Sequence, residues 1–428
     1  MSSLKDNTSF LLLLFGRLVT NAGDSIFFIV TMWLVYDLTG STFYTGIAGL
    51  LTQVPRALQF LVGPLVDRWE LRNVLLTTQL INGTCVLLIL IAMLYGQLSV
   101  GLLLFVLPVV TFVNQFVYPA QNAALPRIVH ESNIVRANSL LTITYKGVDT
   151  VFSALGGILI TIASAALVFT FNSLTFFVAA VLFSGISVPA SGSTSEEPSD
   201  SGQNFESNGP NVFTSIKEYV AELREGMDYI RNSTLVILLV GAMFANVSES
   251  AMLVVLPAYA SFIGGPEMYG LLMAAIAAGS FAGAYLASYI DDRPFGTVSI
   301  VGFLAMSVFL TVALLTPIRT LTIASFFLAF IPMGVFNVMF FSMIQTAIED
   351  SFIGRVSSLT SSISLAIYPV GALLGGAVGE ITGPTPVIGA MAVTFCLLAV
   401  YFFIDPRLRR LPVVEEMSES TLGVGKNV

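Results

Sequence analysis

The chain has 428 residues, of which 55% are hydrophobic and only 10% charged, with a formal net charge of −8 at pH 7. Soluble globular domains carry about 25% charged residues, so the composition excludes one and points to a chain that crosses a bilayer many times. The excess acid gathers in one stretch (Glu196, Glu197, Asp200, Glu206) and in the tail (Glu415, Glu416, Glu419), where it reads as solvated loop charge that implies no partner, nucleic acid included.

Apolar runs bounded by turn residues or charges predict twelve spans, at 10–36, 43–66, 73–95, 100–124, 137–161, 164–188, 234–261, 268–290, 297–316, 320–346, 355–381 and 385–404. A spanning helix needs about 20 apolar residues. Lipid leaves helices as the only choice for such runs, because each backbone polar group must be satisfied within its own segment. The first run is too long for a cleavable leader and has no small-residue cleavage site, so it is expected to stay as a span. Cys85 and Cys396 each lie in an apolar run and imply no disulfide framework.

The first span holds two charges, Arg17 and Asp24. Their spacing of two helical turns puts both on one face. A charge at the bilayer centre costs about 2.5–3.5 kcal/mol on insertion scales. That face is therefore expected to look into a cavity built by the rest of the chain.

Of the loop and tail cations, only Arg319 falls on the side opposite the N-terminus. The positive-inside rule then places both termini in the cytoplasm of a cell with this protein in its plasma membrane. Between spans six and seven, residues 189–210 are rich in Ser, Gly, Glu and Pro and read as a flexible linker. Phe213, Ile216, Val220, Leu223, Met227 and Ile230 then recur at helical spacing among charges, which predicts an amphipathic helix on the inner surface. The expected organisation is an N-terminal bundle over 1–188, a linker with its helix over 189–232, a C-terminal bundle over 233–404 and a tail over 405–428.

The two sides of the linker repeat each other. Gly46 matches Gly270, Asp67 matches Asp291 and Gln121 matches Gln345 at one shared offset, and Asn21-x-x-Asp24 matches Asn246-x-x-Glu249. Matches in corresponding spans, in order, indicate two pseudo-symmetric six-helix halves with a site at their interface near the midplane. Asp24 and Glu249 then become equivalent carboxylates in the first helix of each half.

The stretch Gly63-Pro-Leu65-Val-Asp67-Arg68-Trp-Glu-Leu-Arg72-Asn-Val-Leu75 closes span two and opens span three. It resembles the loop signature of the major facilitator superfamily, with Val66, Glu70 and Leu71 as departures. Asn21-Ala-Gly-Asp24, Trp33 to Ser41 and Leu125-Pro126-Arg127 are similar to the macrolide-efflux branch of drug:proton antiporters. The resemblance implies twelve transmembrane helices in two six-helix bundles, alternating access, export of amphipathic compounds in exchange for protons, and a monomer in contact with membrane lipid. It also implies that Gly63, Asp67, Arg68 and Arg72 form a conformational latch. The branch includes siderophore exporters, and the same fold serves metabolite export, uniport and lipid transport.

Desolvation disfavours a charged carboxylate, so one carried between a dry cavity and open water takes up a proton and gives it back. Asp24, Glu249 and Asp149 are the candidates for that role. The plainer alternatives are a fixed Arg17–Asp24 pair, Glu249 paired to Arg56 or Lys146, and Lys146 neutralising Asp149 on one helix face. Arg17, Asn21, Gln53, Arg56, Gln115, Lys146, Asn246 and Asn337 are candidates for the substrate cavity, although the amides, with Asn114, also serve as helix–helix glue. No His or Cys cluster, metal spacing or Gly-x-x-x-x-Gly-Lys loop is present, so no enzyme, cofactor, metal or self-contained ATP-driven pump is expected.

Overall fold

The computed structural model describes residues 4–59, 62–66, 69–187 and 212–424. The expected linker at 189–210 and the latch residues Asp67 and Arg68 lie outside the described residues.

The N-terminal half comprises α1 (Thr8–Thr39), α2 (Thr42–Ala57), α3 (Gly63–Val66), α4 (Leu71–Leu94), α5 (Val100–Asn114), α6 (Val117–Ile128), α7 (Ile134–Ile162) and α8 (Ala165–Ser184). The helix α9 (Val212–Ile230) follows. The C-terminal half comprises α10 (Thr234–Ile263), α11 (Pro266–Ala287), α12 (Phe295–Leu315), α13 (Arg319–Ala347), α14 (Asp350–Thr382) and α15 (Pro384–Ile404). Among the described residues, 10 helical segments are long and apolar enough to cross a membrane, α5 and α6 counting as one. The second span, made of α2 and α3, and the 29-residue α7 complete the twelve.

Turn chemistry sets the helix ends. Asn7 Oδ1 accepts the Phe10 amide at 3.0 Å, and Gly40 closes α1 at φ 63 with its amide on Tyr36 O. Ser99, Ser164 and Ser233 cap α5, α8 and α10 through their hydroxyls. Two expected spans are broken. The fourth is interrupted between Asn114 and Val117, because Pro119 has no amide hydrogen for the Gln115 carbonyl and its ring crowds that carbonyl. The second ends at Ala57 and resumes at Gly63, where Pro64 likewise lacks the donor a continuous helix would use.

Within the first half α1 packs on α7 and α8, and α4 packs on α5 and α8. Within the second, α13 lies against α11 and α12, and α15 against α10 and α12. The halves meet along α2 with α14 and α7 with α11. At the end away from the termini they touch closely. A Cβ on Gly376 would fall 2.6 Å from the Gly46 Cα and 2.7 Å from the Thr42 carbonyl, so only glycine permits this crossing. The Thr42 hydroxyl donates to Gly376 O at 3.0 Å, and Trp33 stacks on Tyr269 with centroids 5.6 Å apart. Glu380 Oε2 accepts from the Ser41 hydroxyl at 2.8 Å and the Phe43 amide at 3.2 Å.

At the other end α9 is fastened to the second half. Glu225 pairs with Arg355 at 3.1 Å, and Tyr229 stacks on Phe352 at 4.2 Å. The tail tucks beneath: the Phe295 amide donates to Pro412 O at 3.0 Å, and Leu408, Leu411, Val414 and Leu422 are buried. The Tyr229 hydroxyl donates to Glu419, and burial together with that bond pushes the phenol up to about 12, so it remains the donor at physiological pH.

Candidate functional site

A cavity of about 770 Å³ lies between the halves, within the size range of sites for drug-sized molecules. It runs from Ile29 and Leu107 near the closed end to Gln59, Asn122 and Asn138 at the end that carries the termini. Both halves contribute walls: α1, α2, α5, α6 and α7 from one, α10, α11 and α14 from the other.

Of the residues singled out in sequence, Arg17, Asn21, Asp24, Gln53, Arg56 and Gln115 all line it. Asn246 stands one layer back, donating to the Ser364 hydroxyl at 3.1 Å, and Ser364 is on the wall. Asn337 is exposed on α13 and does not line the cavity. The side chains of Lys146 and Asp149 lie outside the described residues. Arg72 is engaged within its own half, where its Nε donates to Ser184 O at 2.9 Å, and Gly63 opens the short helix α3.

Asp24 sits midway along α1. Gly23 beside it has no side chain, which lets α8 approach closely enough for the Asn172 amide to bond the Gly23 carbonyl. This packing turns Asp24 toward the cavity. Its Oδ1 accepts from Asn114 Nδ2 at 2.7 Å, and Asn114 Oδ1 in turn accepts from Asn82 at 2.6 Å. The amide first read as helix glue therefore joins α4 and α5 to the carboxylate. Arg17 and Asp24 make no direct salt bridge, so the fixed pair is not present in this structure. Arg17 lies over the Tyr145 ring instead, 5.7 Å from its centroid.

Glu249 sits midway along α10, beside Tyr368 of α14, on which its charge acts. The Ser250 hydroxyl holds the Tyr368 carbonyl at 2.7 Å, pinning the two helices at that level. Tyr368 lines the cavity, and the Arg56 charge acts on it from the opposite half. Counted from the closed end at about 1.5 Å per residue, Asp24, Arg56, Glu249 and Tyr368 all lie roughly 21–23 Å along their helices. The four side chains thus stand at a similar distance from the closed end.

Sequence reasoning missed Tyr368 and Tyr145. A tyrosine followed by Pro369 in the middle of an apolar span was the available signal for the first; for the second, only its nearness in sequence to Lys146 was.

Two helical halves around a central cavity are the architecture of one large class of transporters, and comparison with known proteins agrees. The sequence model of the Major Facilitator Superfamily matches residues 13–367.

The chain belongs to the major facilitator superfamily.

It is similar to macrolide efflux protein A of Streptococcus pyogenes, with 25% identity over 374 residues, 84% of this chain and 86% of that protein. It is 24% identical over 426 residues to the putative bacilysin exporter BacE of Bacillus subtilis strain 168, covering 94% of this chain and 95% of that one. The fold superposes on the nucleoside transporter NupG with a TM-score of 0.69 at 10% identity, covering 92% of this chain and 98% of that one. The chain is thus a multi-pass membrane transporter of this superfamily.

Proposed function

We propose that this transporter is a proton-coupled secondary exporter of amphipathic small molecules that works by alternating access. The observation that carries the reading is the pair of carboxylates, Asp24 and Glu249, at matching mid-helix positions of the two halves, one on the cavity wall and the other beside the wall residue Tyr368. Efflux proteins and exporters among the sequence relatives support the direction. The loop cations on the side of the termini support a cytoplasmic placement of both termini in the plasma membrane.

The proposed cycle alternates the cavity between the two sides of the membrane. With the far end closed by Gly46, Gly376 and Glu380, the cavity takes substrate from the cytoplasmic side while the carboxylates release protons there. Substrate neutralises or fills the site, the halves rock, and the far end opens. The carboxylates take up protons from outside as substrate leaves. Each proton returning across 100 mV supplies about 2.3 kcal/mol, enough for one or two to drive a useful gradient.

The test is transport by purified protein in proteoliposomes after a pH jump, across a panel of macrolides, tetracyclines, dyes and siderophores. Accumulation that follows the imposed gradient and collapses with a protonophore is expected. Transport indifferent to both would replace the reading with uniport.

A further inference from the structure

We propose that the compound carried through this cavity bears a carboxylate, and that Arg17 receives it. The proposal rests on the transport reading above and adds the chemistry of the cargo.

Arg17 is only 6% exposed yet lines the cavity. Among the described residues its Nε has no hydrogen-bond partner and it makes no salt bridge. Its guanidinium faces the Tyr145 ring, which offers a π surface and no charge. Asp24, two turns further along the same helix face, accepts its hydrogen bond from Asn114. The Asp24 charge acts on Arg17 but makes no direct ion pair with it, so the fork of a costly buried guanidinium is left open to a ligand. The planar fork of arginine matches a carboxylate with two parallel hydrogen bonds.

The neighbouring side chains extend the match. Asn21, one turn along from Arg17, is 4% exposed and its Nδ2 is likewise without a partner among the described residues. Both donors lie on the same face of α1 and both line the cavity, so one carboxylate can accept from the guanidinium and the amide. Gln121 on α6, also on the cavity wall and 4% exposed, has no partner for its Oε1 among the described residues, so it can accept from an N–H or O–H of the cargo. Phe27 and Phe28, deeper toward the closed end, offer an apolar surface for the rest of the molecule. The cargo is thus an amphipathic acid. Its carboxylate points toward the end with the termini, and its apolar body lies toward the closed end.

Rhodamine 19 and rhodamine 6G share one ring system and differ in that the first has a free carboxylate and the second its ethyl ester. Binding of each to the full chain in nanodiscs is read by fluorescence anisotropy. The acid is expected to bind at least tenfold more tightly than the ester. Arg17→Gln should erase the difference, while Arg17→Lys, which keeps the charge and loses the fork, should keep part of it. Equal affinity of the two dyes for the wild type, failure of the acid to bind, or an undiminished acid preference in Arg17→Gln would each overturn the proposal. The dye comparison on the wild-type protein needs no variant to fold. An acid preference in a protein whose transport ignores the proton gradient would overturn the coupling and leave the cargo chemistry standing.

Discussion

The Asn114 amide donates a 2.7 Å hydrogen bond to Asp24 Oδ1, joining the break in the fourth span to the middle of the first. Asn114 is the last residue of α5 before the break, and Asn82 on α4 fixes which way its amide faces. A charge-assisted bond of this kind is worth about 1.5–3 kcal/mol net.

Asn114→Leu keeps the volume of the side chain and removes the donor. We expect pH-driven transport to fall roughly tenfold, which corresponds to about 1.4 kcal/mol, with unchanged insertion and monodispersity in detergent. Initial rates in proteoliposomes measure it.

The closed end depends on contact between glycines, so a side chain there should bias the whole cycle. Gly376→Val puts atoms into the Thr42 carbonyl and the Gly46 backbone. The expected result is a protein held with its far end open. In a Cys85→Ser, Cys396→Ser background, maleimide labelling of a Ser364→Cys probe from the side of the termini should drop severalfold.

Glu380 fastens the same end by a different physical means. It is exposed, and exposed charge contacts are worth about 0–1 kcal/mol, so the clasp is weak enough to release in each cycle. Glu380→Gln keeps the shape and loses the charge. Labelling from the termini side should fall by no more than about twofold, far less than in Gly376→Val. The same maleimide assay separates the two.

The linker helix and tail are joined through Tyr229 and Glu419. Tyr229→Phe keeps the stack on Phe352 and loses the bond, so the melting temperature in detergent should drop by about 1–2 °C. Tyr229→Ala also loses the stack and should drop by more. Differential scanning fluorimetry reads both.

Much of this architecture was legible in the sequence because membrane helices are written as long apolar runs. Ten of the expected spans match helical segments long and apolar enough to cross a membrane, the second is split between α2 and α3, and the amphipathic spacing from Phe213 to Ile230 marks α9. Arg17, Asp24 and Glu249 stood out because charge inside an apolar run is costly. What could not be read were contacts between helices far apart along the chain. Asn114 and Asp24 are separated by 90 positions, and Ser41 and Glu380 by 339. The break after Asn114 was hidden for a related reason: Pro119 was in view, but its consequence falls on a carbonyl four residues earlier. Asn337 shows the converse, a polar residue in a span that faces away from the cavity.

The central claim is that Asp24 and Glu249 carry protons while the halves rock. It is tested by comparing two fluxes in proteoliposomes for Asp24→Asn and Glu249→Gln: net transport driven by a pH jump, and substrate exchange at equal pH. We expect each variant to lose most pH-driven transport and to retain exchange, because exchange needs the rocking and the cavity but no proton. Wild-type rates of pH-driven transport in both variants would contradict the account.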